Sequence, residues 1–205
     1  MYRVMLGKIS AISDDALPAL LLCLAPDGGR RAPWIAGRAL LMQALALPTL
    51  PEIVYGENGK PAFGDDIRLW FNISHSGDDI AVLVSDTGEV GCDLEVIRPR
   101  RNWPRIAQAM FSSAEQAELM SATEANRLTV FWRIWTQKEA RLKYAGQPVW
   151  AMATQDSHAA SPPFCCQHQP DDRLMLALCT STPYRFAAHD LTFYPAEIAV
   201  NETPK

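Results

Sequence analysis

The stretch EVGCDLEV, residues 89–96, places Val90, Cys92, Leu94 and Val96 in alternation with Glu89, Gly91, Asp93 and Glu95. A period of two is that of a strand with one face buried, so Asp93 and Glu95 project from the same face. Downstream, FWRIWTQKEARLK at residues 131–143, with Leu128 before it, carries Phe131, Trp132, Trp135 and Leu142 at helical spacing. Glu139 lies one turn beyond Trp135, at the edge of that apolar stripe, which predicts a half-buried carboxylate facing the body of the protein. Where such a helix packs on such a strand, three carboxylates meet. An oxygen-only ligand set suits a hard divalent cation, Mg²⁺ first, with water and a substrate phosphate completing its coordination. The plainer reading stands beside it: the strand acids as a solvated face, and Glu139 with Lys143 as an i,i+4 pair contributing about 0.3 kcal/mol.

Two upstream segments carry further polar chemistry. In YGENGKPAF, residues 55–63, Asn58 and Gly59 signal a turn, and Pro61 biases Lys60 toward an extended backbone, projecting one ammonium from a loop edge. In LWFNISHSGDDIAVLVS, residues 69–85, a strand over Leu69 to Ile73 is expected to end in Ser74, His75 and Ser76 ahead of Gly77. Such a cluster can donate several hydrogen bonds to phosphate oxygens. Gly-Lys-Pro is also a common turn, and Ser-His-Ser a common strand end.

Taken in order, GKPAF, FNISHSGDDIAV, VGCDLE and FWRIWTQKEARLK resemble the signature blocks of the 4′-phosphopantetheinyl transferase superfamily, in its Sfp-type two-lobed branch. The resemblance spans roughly residues 30–146. It implies transfer of the 4′-phosphopantetheine arm of coenzyme A to a serine hydroxyl of an apo acyl or peptidyl carrier protein, releasing adenosine 3′,5′-bisphosphate. Carried over by position, Asp93, Glu95 and Glu139 are the implied Mg²⁺ ligands, and Lys60, Ser74, His75 and Lys143 the implied contacts to coenzyme A phosphates. Charge developing on a diphosphate can be met by a metal ion and surrounding cations, so positioning and electrostatics supply most of the catalysis. A serine hydroxyl also needs its proton removed. Glu139, directly or through a metal-bound water, is the candidate base, with a metal-bound hydroxide as the alternative. Arg31 and Arg38, two turns apart on an expected helix, are a weaker pair for a 3′-phosphate; Arg30 and Arg31 as a solvated helix start is the other reading.

The implied fold is α+β, a pseudo-twofold pair of similar α/β lobes with the active site between them. At 205 residues, 48% of them hydrophobic, the chain can bury such a core. MYRVMLGKI and EVGCDLEVI are each a short strand followed by a helical region and strands, a topological echo that divides the chain into an N-terminal lobe, 1–88, and a C-terminal lobe, 89–205. The first supplies Lys60, Ser74 and His75, the second the metal acids, so neither half would act alone. Ser112 and Glu115 form a capping-box signal, and Gly146 with Pro148 stops the Trp-rich helix. Residues 151–173 read as a long loop, Leu174–Cys179 and Tyr184–Ala188 as closing strands, and 201–205 as a fraying tail.

Five cysteines without a CxxC pair argue against disulfides and for a reduced, cytoplasmic setting. Cys92 reads as core, and Cys165, Cys166 and His168, with His158 upstream, do not match zinc-ligand spacing. No segment approaches membrane-spanning length, and Asp14, Asp15 and Pro18 make the apolar run from Ala16 to Ala25 unlike a signal peptide. A net charge of −4 gives no support for nucleic-acid binding. Arg98, Arg100, Arg101 and Arg105, with Trp103 among them, form either a docking patch for an acidic carrier protein or a solvated basic loop. Two other function classes stay open at this point: an Mg²⁺-dependent phosphohydrolase or nuclease using the same acids, and a non-catalytic module that binds carrier proteins or coenzyme A.

Overall fold

A computed structural model describes residues 1–158 and 162–194. The chain runs β1 (Tyr2–Lys8), α1 (Ala19–Leu22), α2 (Arg31–Leu45), β2 (Ile53–Tyr55), β3 (Pro61–Phe63), β4 (Trp70–Ser76), β5 (Asp79–Ser85) and β6 (Val90–Val96). There follow α3 (Trp103–Met110), α4 (Ser113–Ser121), α5 (Arg127–Ala145), β7 (Phe164–His168), β8 (Leu174–Thr180) and β9 (Leu191–Tyr194). The mixed helix and sheet content is that of an α+β protein.

Three sheets are formed: a four-stranded one in the order β4-β5-β1-β9, a three-stranded one in the order β6-β8-β7, and the small β2-β3 hairpin. Strand periodicity then stacks the layers. Tyr2, Val4 and Leu6 of β1, with Ala81 and Leu83 of β5, point from the first large sheet toward Val90, Cys92 and Leu94 of β6 and Leu174, Leu176 and Leu178 of β8. The opposite residues, Met5, Ile80, Val82 and Val84, pack on Ala36, Leu40, Leu41 and Ala44 of α2. On the far side of the second sheet lies α5, whose Phe131, Trp132, Ile134, Trp135 and Leu142 join Ala107 of α3 and Leu119 of α4 in a third cluster.

The two large sheets meet along β4 and β6 in an unusual seam. The Cys92 N–H donates to Asn72 Oδ1 at 2.8 Å, the Leu94 N–H to Ser74 Oγ at 3.1 Å and the Val96 N–H to Ser76 Oγ at 3.2 Å. Each rung joins residues 20 apart in sequence, so the two strands run in the same direction. Alternate side chains of β4 thus satisfy alternate amides of β6, which would otherwise be an unpaired strand edge.

Several expectations hold. Ser112 caps α4 in a reciprocal capping box with Glu115, and Gly146, at φ 62°, ends α5. Strand β8 covers the first closing strand, and Glu139 is half-buried.

Others need correction. The β4 strand does not stop at Ile73 but continues through Ser74, His75 and Ser76, because β5 pairs with it down to Ser76 opposite Asp79 across a tight turn. Strand β6 is not half-exposed: Asp93 and Gly91 are buried as well, since α5 covers the face that carries them. The stretch 151–173 is not one long loop, for it contains 3₁₀ turns over Val149–Thr154 and the strand β7. Tyr184–Ala188 is not a strand; the closing strand is β9, which runs parallel to β1 in the first sheet. The short period-two pattern there is met instead by packing of Tyr184 and Phe186 around Tyr2. The expected fraying tail, 201–205, lies outside the described residues. The expectation of wholly reduced cysteines also fails, because Cys165 and Cys179 are joined, with Cα atoms 4.2 Å apart. They face each other across β7 and β8, a proximity that no spacing in the sequence announces.

Candidate active site

The helix α5 crosses β6 at Gly91, where the backbones come so close that an added Cβ would lie 2.1 Å from the Ala140 carbonyl oxygen. That approach puts Glu139 and Lys143 of α5 over Asp93 and Glu95 of β6. All four line one cavity of about 640 Å³, together with Ile73, Ser74 and His75 of β4. Its remaining wall is Trp132 and Trp135 of α5 with Arg98 and Arg100.

Electrostatics at the acids are tense. The Lys143 ammonium donates to Asp93 Oδ1 at 2.7 Å and to Ser74 Oγ at 2.8 Å. Burial, the largest single influence, would lower the Lys143 pKa, but the Asp93 charge and hydrogen bond together with the Cys92 and Glu139 charges outweigh it and raise the pKa, so the group stays charged. Asp93 Oδ1 also accepts from Ser74 Oγ at 2.9 Å, while Asp93 Oδ2 is buried with no hydrogen-bond partner among the described residues. Glu95 is raised above its ordinary value, chiefly by burial and then by Asp93, although a bond from Ser76 opposes the shift. Glu139 is pushed up to about 7 by burial and by the Asp93 and Glu95 charges, with Lys143 and Arg100 pulling the other way.

A buried, unpartnered carboxylate oxygen beside two carboxylates held partly against their ionisation is a donor set that a hard cation would relieve. The residues present therefore fit a divalent metal. They are not already drawn into a ligand cage: among the described residues no group of three His, Cys, Asp or Glu side chains forms a ready metal site. Lys143 supplies the positive charge beside Asp93 instead.

The other residues singled out from the sequence are distributed less tightly. Lys60 donates to the carbonyls of Val90 and Tyr144 and pairs with Glu89. It lines a neighbouring cleft with Asn58 and Gly146, and that cleft shares Ile73 and Lys143 with the main cavity. His75 stands at the cavity wall, its pKa lowered by burial of the ring and by the Lys143 charge. Arg38 is buried, its guanidinium 4.3 Å from the Trp34 ring centroid and 2.9 Å from the Tyr55 hydroxyl. Arg31 pairs at the surface with Asp14 at 2.9 Å. Neither arginine lines the main cavity.

The basic run after β6 divides. Arg101 and Arg105 are exposed, whereas Arg100 lies over the aromatic wall, 4.7 Å from the Trp135 centroid and 5.4 Å from that of Trp132. The Arg98 carbonyl accepts from Trp132 Nε1 at 3.0 Å, which ties this loop to α5. Sequence reasoning passed over Trp132 and Trp135 as cavity wall, although their i,i+3 spacing was visible. Ser76, expected in the phosphate-donor cluster with Ser74 and His75, instead donates to Glu95, and its spacing from Ser74 matches that of Glu95 from Asp93. Cys92 is core as expected, its thiol pushed up to about 12 by complete burial.

Among the described residues, no helix is long and apolar enough to cross a membrane. A family model described as the 4′-phosphopantetheinyl transferase superfamily matches residues 89–189. The chain is 52% identical over 192 residues to a Salmonella typhimurium protein named 4′-phosphopantetheinyl transferase AcpT, covering 94% of this chain and 98% of that one. It is 52% identical over 190 residues to the AcpT protein of Escherichia coli K12, covering 92% and 95%. A more distant relative is the 4′-phosphopantetheinyl transferase HetI of Nostoc, 32% identical over 148 residues, covering 68% and 62%.

Proposed function

The chain belongs to the 4′-phosphopantetheinyl transferase superfamily, and we propose that the cavity bounded by β4, β6 and α5 is its active site. It is a 4′-phosphopantetheinyl transferase, moving the 4′-phosphopantetheine group of coenzyme A to a serine of an apo carrier protein and releasing adenosine 3′,5′-bisphosphate. The observation that carries the site assignment is the meeting of Asp93, Glu95, Glu139 and the charged Lys143 in one cavity, with one Asp93 oxygen buried and without a hydrogen-bond partner among the described residues.

Asp93, Glu95 and Glu139 would hold Mg²⁺, and when bound the ion neutralises charge that develops on diphosphate oxygens. Lys143 keeps an ammonium aimed at the same region and is placed to hold a phosphate oxygen. Ser74 and His75 line the same wall toward the coenzyme A phosphates, His75 with an imidazole donor and Ser74 with a hydroxyl held by Asp93 Oδ1. Lys60, in the adjoining cleft, adds a second cation toward the coenzyme A phosphates, with Arg31 and Arg38 assigned to its more distant end. Glu139, on the cavity wall beside Asp93 and Glu95, is the group assigned to take the serine proton. The Trp132 and Trp135 wall under Arg100 excludes water from one side of the reacting diphosphate.

In this reading the sheet backed by α2 and the sheet backed by α5 are the two lobes, dividing near residue 89 save that β9 returns to the first sheet, and the substrate lies across the β4–β6 seam. Arg98, Arg100, Arg101 and Arg105 face the carrier protein. A cytoplasmic location goes with the substrates. The test is intact-mass spectrometry of a panel of apo carrier proteins incubated with the protein, coenzyme A and Mg²⁺. The expected result is a gain of one phosphopantetheine unit that disappears with EDTA and in a Lys60→Ala, Glu139→Ala double variant. Transfer that survives both controls would overturn the site assignment.

A further inference from the structure

We propose that Ser76 is a positioning residue for the metal site, fixing the Glu95 carboxylate through a hydroxyl hydrogen whose acceptor among the described residues is Glu95 Oε2. The proposal rests on the metal reading above and extends it to a residue that reading does not use.

The argument is one of proton accounting at a buried hydroxyl. A serine hydroxyl has one hydrogen to donate and two lone pairs with which to accept. Ser76 is 5% exposed, and its Oγ lies 3.2 Å from the Val96 backbone nitrogen. An amide N–H can only donate, so Oγ accepts there. The hydroxyl's own hydrogen then goes to Glu95 Oε2, 2.6 Å away, the distance of a charge-assisted O–H···O⁻ bond. Glu95 is thus held at one oxygen, leaving the other for a cation, and its long side chain loses the rotamer freedom it would otherwise lose on binding.

The same accounting holds one step along the strand. Ser74 Oγ receives the Leu94 N–H and the Lys143 ammonium, both donors only, so its hydrogen goes to Asp93 Oδ1 at 2.9 Å. The two serines are two residues apart on β4, and the two acids are two residues apart on β6. A register shared by the two strands, each rung joining residues 20 apart, sets both hydroxyls against both carboxylates. The backbone amides of β6 therefore orient the hydroxyls, and the hydroxyls orient the ligands. Outer partners of this kind typically change metal affinity by about 10–100-fold when removed.

The experiment is a Mn²⁺ titration followed by electron paramagnetic resonance, with coenzyme A present and carrier protein absent, so that no turnover contributes. Ser76→Ala is expected to raise the Mn²⁺ Kd about tenfold or more. Ser76→Thr, which keeps the hydroxyl, should stay near wild type, and coenzyme A binding measured without metal should be unchanged in both. Because the hydroxyl acts through Glu95, Ser76→Ala should add little in a Glu95→Gln background. Ser76→Cys, which fills the same space and donates weakly, should show the same loss as Ser76→Ala and serves if the alanine variant does not fold. A Ser76→Ala or Ser76→Cys protein with wild-type Mn²⁺ affinity and only a lowered Tm would overturn the proposal and leave the metal reading intact. Absence of Mn²⁺ binding by the wild-type protein would overturn both.

Discussion

Gly91 of β6 and Ala140 of α5 are in backbone contact: a Cβ at Gly91 would lie 2.1 Å from the Ala140 oxygen and 2.4 Å from the Tyr144 nitrogen. No side-chain rearrangement can relieve a clash with main-chain atoms, so Gly91→Ala must push α5 away from β6. The helix carries Glu139 and Lys143, and the strand carries Asp93. We expect destabilisation of about 3 kcal/mol, at the upper end for overpacking, with a loss of transfer larger than the fall in Tm alone explains. Thermal unfolding and steady-state transfer assays on the same preparation check this.

The Lys143 to Asp93 bond should matter for chemistry more than for folding. Lys143→Met removes the ammonium from the cavity while keeping the apolar stem. Transfer should fall by about 100-fold or more, with circular dichroism unchanged. A variant with unaltered kcat would remove Lys143 from the reaction.

Glu115 and Lys138 form a pair with both side chains fully buried, joining α4 to α5. Glu115 Oε2 accepts from Lys138 at 2.6 Å and from the Ser112 N–H at 2.7 Å, and Oε1 accepts from the Ser157 N–H at 2.8 Å. Burial alone would raise the Glu115 pKa, but the Lys138 ammonium and these donors hold it below the ordinary value. The native state thus favours the ionised form, so its contribution is present above the ordinary carboxylate range and is lost as pH falls through the depressed native value. Urea unfolding at neutral and acid pH should show that loss, and Glu115→Gln should flatten it. Lys138→Met, which strands a buried carboxylate, should cost about 3–5 kcal/mol at neutral pH.

Cys165 and Cys179 close a loop with a sequence separation of 14. A cross-link over a loop of that size contributes about 3 kcal/mol by restricting the unfolded chain. Non-reducing peptide mapping should recover the linked pair, and Cys165→Ala should lower Tm with β6 and α5 otherwise intact. Recovery of both peptides with free thiols from oxidised protein would contradict the pairing.

Arg100 and Arg101 separate two roles for the basic run. Arg101 is exposed, and Arg100 lies on the Trp135 ring. Arg101→Glu should raise the apparent KM for the carrier protein at low salt and leave coenzyme A binding unchanged. Arg100→Glu should alter both, since it also disturbs the cavity wall. An Arg101→Glu protein with unchanged carrier KM would remove that residue from docking.

Local chemistry made part of this protein legible in advance. Alternation in VGCDLEV placed Asp93 and Glu95 on one face, helical spacing placed Glu139 at the edge of a buried stripe, and Ser112, Glu115 and Gly146 marked helix ends through short-range hydrogen bonds and a positive φ. Each of these depends on residues close together in sequence, and so could be read from the order alone. The β7 strand and the Cys165–Cys179 link were not legible, because Pro162, Pro163 and Pro170 mask a strand whose partner, β8, decides its existence. Likewise β9 replaces the expected strand at 184–188 because the edge it joins, β1, lies at the other end of the chain.

Residue order alone named the groups that could do chemistry: three acids, a lysine one turn beyond the third, and a Ser-His-Ser cluster at the end of a strand. Tertiary structure alone decided how they are used. Which oxygen of Asp93 is left unpartnered, that Lys143 stands beside it, and that Asn72, Ser74 and Ser76 answer the amides of β6 all follow from two strands aligned with residues 20 apart and a helix seated on a glycine. Residue order carries the period of each element. It does not carry the register between elements, because that is set by the summed packing of all the layers at once.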